Sequence, residues 1–331
     1  MTQPLVFLGD SITDGHTLIL HVEQALAARG TPRACFNCGI GGDRSDQMLA
    51  RLGRDVLPLL PATVCVSAGI NDAMQGVPAA HYRAHMTALV GQLVQSGAHV
   101  VLLTPTVLDP RHQAAVALVQ AYREIVFTVA RAADLRVADV GAAQAAAQAA
   151  AQAAAQAAAQ DKMLATDGIH LEEPGYVVMA TTVLLTLGAN VPDLPPRPRW
   201  EPLPGLVTDW QITCEDAPSE PLTWTLPEAP CTGPWWENQE CARGFARAFA
   251  SHLPGTRWRA EAILPAGSAG LLALGGHVTH AEIDDVSMLG DGSWRGWHVK
   301  PGCVVPASAR PRRLRLLING PFVAAFGPPH R

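Results

Sequence analysis

Across residues 1–190 short apolar runs alternate with longer helical patterns, and no other feature of the sequence narrows the fold as much. Residues 4–8, 33–37, 63–67, 100–104 and 136–138 read as strands. Between them, residues 18–29, 46–57, 79–95 and 113–133 read as helices. A last helix follows Pro174, a residue suited to the first helical position. Strand–helix alternation gives a parallel sheet covered by helices on both faces. Such sheets bind ligands at the carboxyl ends of their strands. The chemistry of this half of the chain is therefore expected just after its strands.

The pattern stops at a connector, residues 191–205, that holds Pro192, Pro195, Pro196, Pro198, Pro202 and Pro204. Such a segment is stiff and extended. All eight tryptophans lie within it or beyond it. Residues 206–331 have short apolar runs split by Gly and Pro, including 258–264, 270–274 and 313–318. They read as a second, mostly β domain of the sandwich type. Asn319-Gly320 is a candidate tight hairpin turn there, and residues 244–252 a candidate short helix. Within the first domain, residues 142–160 repeat Gln-Ala-Ala-Ala. Alanine is the best helix former, so this run predicts a helix of roughly 28 Å. Each four-residue step overshoots a turn by about 40°, so the glutamines spiral around the helix. A spacer is the favoured reading and a lid the functional alternative.

The net charge of −5 is mild and no basic run occurs, which argues against nucleic acid as a partner. No apolar stretch reaches the ~20 residues of a membrane span. The chain enters its first strand directly after Met1-Thr2-Gln3, so no signal peptide is expected and the cytoplasm is the expected compartment, with secretion the alternative if an upstream segment was removed. Seven scattered cysteines do not form a disulfide framework, although the four C-terminal ones could make two bridges in a secreted protein. Cys35-Phe-Asn-Cys38 has the form of a redox pair or half a zinc site. No second C-x-x-C or H-x-x-x-H partner follows, and two small buried residues at a strand end are the plainer reading.

At residues 7–13, Phe-Leu-Gly-Asp-Ser-Ile-Thr, an apolar strand hands over to an acid and a hydroxyl. Ser11 there is a candidate nucleophile or a helix cap. A serine nucleophile needs a base, an acid that orients the base, and donors for the developing oxyanion. His170, in Thr-Asp-Gly-Ile-His, has Asp167 three residues before it, a spacing that can bring a carboxylate onto one ring nitrogen. The pair can equally be a surface turn followed by a loop histidine. Glycines in residues 39–45, Gly-Ile-Gly-Gly-Asp-Arg-Ser, can turn a backbone amide toward a ligand. Asn71, in Ser-Ala-Gly-Ile-Asn-Asp, can donate from its side chain. A turn and a helix cap are the plain readings of these two loops. Arg44 is a candidate contact for a polar substrate or a solvated loop arginine. Asp10 and Asp14 read as structural. His16 is a rival base without an acid at comparable spacing. His21, His81, His85, His99 and His112 read as surface or core residues.

Taken together, Gly-Asp-Ser-Ile-Thr, Gly-Ile-Gly-Gly-Asp-Arg-Ser, Gly-Ile-Asn-Asp and Asp-Gly-Ile-His, in this order, resemble the four blocks of the SGNH (GDSL) hydrolase family over residues 4–188. The resemblance implies a flavodoxin-like three-layer α/β/α fold with a five-stranded parallel sheet. It implies Ser11 as nucleophile, His170 as base and Asp167 as its orienting acid. It implies an oxyanion hole made by the amides of Ser11 and Gly42 and the side chain of Asn71, with no metal or organic cofactor. Thr13 departs from the Gly-x-Ser-x-Gly elbow of α/β-hydrolases. The family's activity implies acyl transfer to water, with substrates that range from acetylated sugars and aryl esters to lysophospholipids and thioesters. No stretch reads as a membrane-binding helix. Trp235-Trp236, Trp294 and Trp297 are candidate platforms for sugar rings or ordinary core residues. A carbohydrate-type O-acetyl esterase is the favoured expectation. The alternatives are a lysophospholipase or thioesterase, and a non-catalytic binding or assembly protein whose β domain pairs subunits as a homo-oligomer.

Overall fold

The computed structural model describes residues 4–15, 17–33, 35–154, 163–189, 194, 207, 209–217, 220–225, 257–267, 270–288 and 300–327. They form two compact units. In the first, β1 (Leu5–Gly9), β2 (Cys35–Gly39), β3 (Thr63–Ser67), β4 (His99–Leu103) and β5 (Arg136–Ala138) make a parallel sheet in the order β2-β1-β3-β4-β5. β1 and β3 are buried along their whole length, as strands covered on both faces must be. The chain leaves β1 for one neighbour and returns on its other side as β3. The strand order reverses there, which opens a crevice at the carboxyl edge.

The helices are α1 (Ser11–Asp14), α2 (Thr17–Ala28), α3 (Ser45–Ala50), α4 (Leu52–Asp55), α5 (Ile70–Met74), α6 (Ala79–Gln95), α7 (Gln113–Ala132), α8 (Val140–Ala154) and α9 (Glu173–Thr186). α2, α8 and α9 pack as one layer, and α3, α5, α6 and α7 as the other. The three-layer α/β/α fold is as expected. One expected helix is not continuous. Residues 46–57 break at Arg51 into α3 and α4, followed by a 3-10 turn at Leu57–Leu59. Gly53 and Pro58 weaken a continuous helix, and the Arg51 side chain turns inward to a buried ion pair with Asp43.

The described part of the Gln-Ala repeat is α8, and the glutamines spiral as predicted. Gln144 is fully buried, Gln148 half-buried and Gln152 exposed. Gln144 is more than a spacer residue. Its Oε1 accepts from the Val107 amide at 3.1 Å, and its Nε2 donates to the Gly175 carbonyl at 3.2 Å. The repeat beyond residue 154 lies outside the described residues.

In the second unit, β6 (Asp209–Cys214), β7 (Leu222–Thr225), β8 (Trp258–Leu264), β9 (Gly270–Ile283), β10 (Val286–Ser287), β11 (Lys300–Val305) and β12 (Arg312–Gly327) form one antiparallel sheet. Its order is β10-β9-β12-β8-β6-β7, with β11 also on β9. Side chains along β8 alternate between buried and exposed or partly exposed, so one face packs on a core and the other meets water. Trp210 anchors that core edge-on to Phe322 at 4.9 Å. Its Nε1 donates to the Val207 carbonyl at 2.9 Å.

Asn319-Gly320 is not a hairpin turn. β12 runs through it, and the register shifts between Ile318 and Phe322, a bulge that takes up the extra residues. The two-residue turn is Asp284-Asp285, between Ile283 and Val286, with φ of 50° and 66°. Asp284 holds it by accepting from the Arg313 amide and the Arg312 guanidinium, each at 2.9 Å. Trp200, Trp235, Trp236, Trp294, Trp297 and residues 244–252 lie outside the described residues.

Trp210→Ala should destabilise this unit by about 3–5 kcal/mol, the usual cost of removing a buried tryptophan. Urea unfolding followed by tryptophan fluorescence and circular dichroism checks it. A loss below about 1 kcal/mol would contradict its place in the core.

Candidate active site

Ser11 begins α1, immediately after β1 delivers the chain to the carboxyl edge of the sheet. Gly9 permits the sharp reversal. A Cβ there would lie 2.1 Å from Thr13 Oγ1 and 3.1 Å from the Ser67 carbonyl. Asp10 caps the turn, and its Oδ1 accepts from the Ile12 amide at 3.0 Å. Tyr176 of α9 ties the same turn down by donating to the Ile12 carbonyl at 3.0 Å.

The chain comes back to Ser11 some 160 residues later. His170 Nε2 lies 2.8 Å from Ser11 Oγ. Its Nδ1 lies 2.5 Å from Asp167 Oδ2. The other carboxylate oxygen, Oδ1, accepts from the amides of Ile169 and His170 at 2.9 and 3.0 Å. Burial works against charge on Asp167, but the bonds from the His170 ring and the two amides outweigh it and hold the carboxyl below its ordinary range. The loop itself is pinned. Leu164 and Leu171 form an antiparallel bridge, the Asp109 amide donates to the Gly168 carbonyl, and His112 Nε2 lies 2.9 Å from the Asp167 carbonyl.

The two donor loops reach the same place. A Cβ on Gly41 would stand 3.8 Å from Ser11 Cβ. Gly42 has φ of +86°, a backbone that favours glycine. Asn71 lies in α5 after β3, and its Nδ2 donates to the Asp43 carbonyl at 3.1 Å. An amide nitrogen carries two hydrogens. One of them is used in the bond to Asp43.

Arg44 is held in a bidentate pair with Asp46 at 3.0 and 2.9 Å and donates to Gln75 Oε1 at 2.7 Å. Asp14 is structural, accepting from the Gly41 amide at 3.3 Å. His21 is buried against Glu173 at 2.7 Å. His16 lies outside the described residues. Cys35, Cys38, Cys65 and Cys214 form no disulfide. Among the described residues no helix is long and apolar enough to cross a membrane.

Sequence reasoning missed the residues beneath the site. Buried Arg51 bridges the Asp43 carboxylate, at 2.6 Å, and the Gly9 carbonyl, at 3.0 Å. Buried Ser45 and Asp72 form a second cluster with half-buried His85. For Ser45 and Asp72 the signal was a density of charged and hydroxyl residues just after apolar strands; Arg51 and His85 sit in helical patterns that carry no such signal.

A family model, the GDSL-like Lipase/Acylhydrolase family, matches residues 7–178. An arylesterase of Vibrio mimicus is 27% identical over 108 residues, 31% of this chain and 54% of that protein, so the chain spans about half the length of this relative. The solved structure of LAE5, an alpha/beta hydrolase enzyme from the metagenome of Lake Arreo, is 25% identical over 56% of this chain and 95% of that one, with a TM-score of 0.50. A variant of Axe2, an acetyl xylan esterase from Geobacillus stearothermophilus, is 22% identical over 58% of this chain and 97% of that one, with a TM-score of 0.52. At that identity the likeness to Axe2 is one of fold.

Asp10 is the least comfortable acid at the site. Burial, opposed by the Ile12 amide and reinforced by the charges of Asp43 and Asp72, raises its pKa from 3.8 to about 7. The unfolded chain ionises this carboxyl first, so it costs nothing below about pH 4 and costs stability progressively as pH rises to about 7. Asparagine caps a helix as well as aspartate does. Asp10→Asn should therefore gain stability over the wild type across this window and little below it. Chemical-denaturation midpoints at several pH values check this. A difference independent of pH would contradict the raised pKa.

Proposed function

The chain belongs to the GDSL-like lipase/acylhydrolase family, and from that premise we propose that it is a serine esterase working through an acyl-enzyme. The observation that carries the reading is the unbroken hydrogen-bond chain from Ser11 Oγ through the His170 ring to Asp167. Ser11 Oγ attacks the ester carbonyl carbon while His170 Nε2 takes its proton. The carbonyl oxygen becomes an oxyanion, held by the amides of Ser11 and Gly42 and by Asn71 Nδ2. Asp167 keeps the ring in the tautomer that accepts at Nε2 and stabilises the imidazolium. The tetrahedral intermediate then expels the alcohol, which leaves with the proton from His170. Water repeats the sequence on the acyl-enzyme and releases the acid and Ser11.

For the substrate we propose O-acetyl esters of carbohydrates. Arg44, Asp46, Gln75, His81 and His85 line a cavity of about 370 Å³ beside the Gly42 loop. Planar polar groups of this kind suit sugar hydroxyls better than an acyl chain. In this reading residues 1–190 are the catalytic domain, 191–205 a linker and 206–331 an accessory domain. A second reading, hydrolysis of longer acyl chains in lysophospholipids or thioesters, draws on a larger cavity of about 880 Å³ with Val107, Leu108, Val116, Val119, Met163 and Leu164 in its wall.

Ser11→Ala should abolish turnover of a short p-nitrophenyl ester, and labelling by a serine-directed fluorophosphonate, while the fold persists. Undiminished activity would overturn the assignment, and an unlabelled wild type would favour a non-catalytic scaffold. Asn71→Ala should lower kcat by roughly 10²–10³, the usual loss for one oxyanion donor, and a change confined to KM would contradict its role. Acetylated sugars, lysolipids and acyl thioesters, each assayed against Ser11→Ala, separate the substrate readings.

A further inference from the structure

The proposed oxyanion donors ride on two separate loops, one after β2 and one after β3. Both must aim at one oxygen, and a misplacement of about 1 Å is enough to cost a hundredfold in rate. Besides the exposed bond from Arg44 to Gln75, two cross-links at Asn71 and its neighbour join the loops. One is the bond from Asn71 Nδ2 to the Asp43 carbonyl. The other is Asp72, the residue directly after Asn71. Its Oδ2 accepts the Ser45 amide at 3.0 Å and its Oδ1 accepts the Ser45 hydroxyl at 2.5 Å.

Neither Asp72 nor Ser45 is exposed at all. Burial raises the pKa of Asp72, and the two bonds from Ser45 oppose that rise. As a carboxylate Asp72 only accepts, so the Ser45 hydroxyl must donate to it. The Ser45 oxygen is then left to accept, and its neighbour is His85 Nδ1 at 3.0 Å. With Asp72 ionised, His85 Nδ1 is the donor in that contact. Donors run in one direction, from His85 in α6 through Ser45 in α3 to Asp72 in α5. The triad uses none of these groups, and a buried acid is a costly way to fasten one loop to another.

We propose that Asp72, Ser45 and His85 form a positioning unit that fixes Asn71 relative to the Gly42 loop, so that both donors converge on one oxyanion. The inference rests on the esterase reading above. Asp72 and Ser45 act through Asn71 and the backbone of the loop, and His85, which also lines the cavity named above, acts on them through its contact with Ser45. Their effect should fall on the transition state, where the oxyanion forms, and not on ground-state binding.

The test is a double-mutant cycle on a short p-nitrophenyl ester with Asp72→Asn, Asn71→Ala and the pair, each checked by circular dichroism melts. Asp72→Asn should lower kcat roughly 10- to 100-fold with KM almost unchanged. In the Asn71→Ala background the same change should cost less than about threefold, because the donor it positions is already gone. Ser45→Ala, which keeps its backbone bond to Asp72, should lower kcat in the same direction by less. If Asp72→Asn fails to fold, Ser45→Ala with Asn71→Ala completes the cycle. Equal losses in both backgrounds, or a loss confined to KM, would overturn the positioning role and leave the esterase reading standing. An Asn71→Ala protein with wild-type kcat would overturn both.

Discussion

Parallel strands all end on the same side of their sheet, and this constraint governs everything at the site. β1 lies between β2 and β3. The segment after each of these strands therefore emerges beside the other two. Ser11 follows β1, the Gly42 loop follows β2, and Asn71 follows β3. The sheet needs no special design to collect a hydroxyl and two loops of donors. Only the partner of Ser11 has to be brought from elsewhere. His170 arrives just before α9, in a segment closed by the Leu164–Leu171 bridge and by its own Asp167 carboxylate.

Bringing these loops together has an energetic cost. Asp10, Asp43 and Asp72 are all buried near the carboxyl edge, and their charges disfavour one another. Each is met by specific donors: Asp10 by the Ile12 amide, Asp43 by Arg51, and Asp72 by Ser45. A buried carboxylate is tolerated only when its lone pairs are used in this way. The same bonds that offset burial also hold the loops together, as the oxyanion site proposed above would require. Arg51 illustrates the economy. By reaching both the Gly9 carbonyl and the Asp43 carboxylate, it links the strand that presents Ser11 to the loop that presents Gly42.

β1, β3 and β4 were legible because a strand buried on both faces is written as an apolar run, and all five strands lie within two residues of their expected bounds. The helix expected over residues 46–57 breaks at Arg51, whose side chain turns inward to Asp43, a contact that the pattern along the chain does not carry. The repeat helix was legible as a helix from alanine alone. That Gln144 braces Val107 and Gly175 was not, because identical glutamines in the same repeat differ only in what surrounds them. In the second unit Asn319-Gly320 has the composition of a turn but sits in a bulge. Asp284-Asp285 makes the turn, with an aspartate whose side chain binds Arg312 and Arg313. Turn propensity is local, whereas register is decided by the strand across the sheet.

By itself the sequence determined the layer architecture, the strand ends at which chemistry is displayed, and the four short segments that carry the candidate site. Those are properties of periodicity and of local chemistry, and neither depends on contacts between distant residues. Only the tertiary structure decided which supporting polar groups meet: Asn71 with Asp43, Asp72 with Ser45 and His85, Arg51 with Gly9 and Asp43. The physical reason is that a polar group's partner, once both are buried, is selected by packing in three dimensions, and spacing along the chain carries almost none of that information.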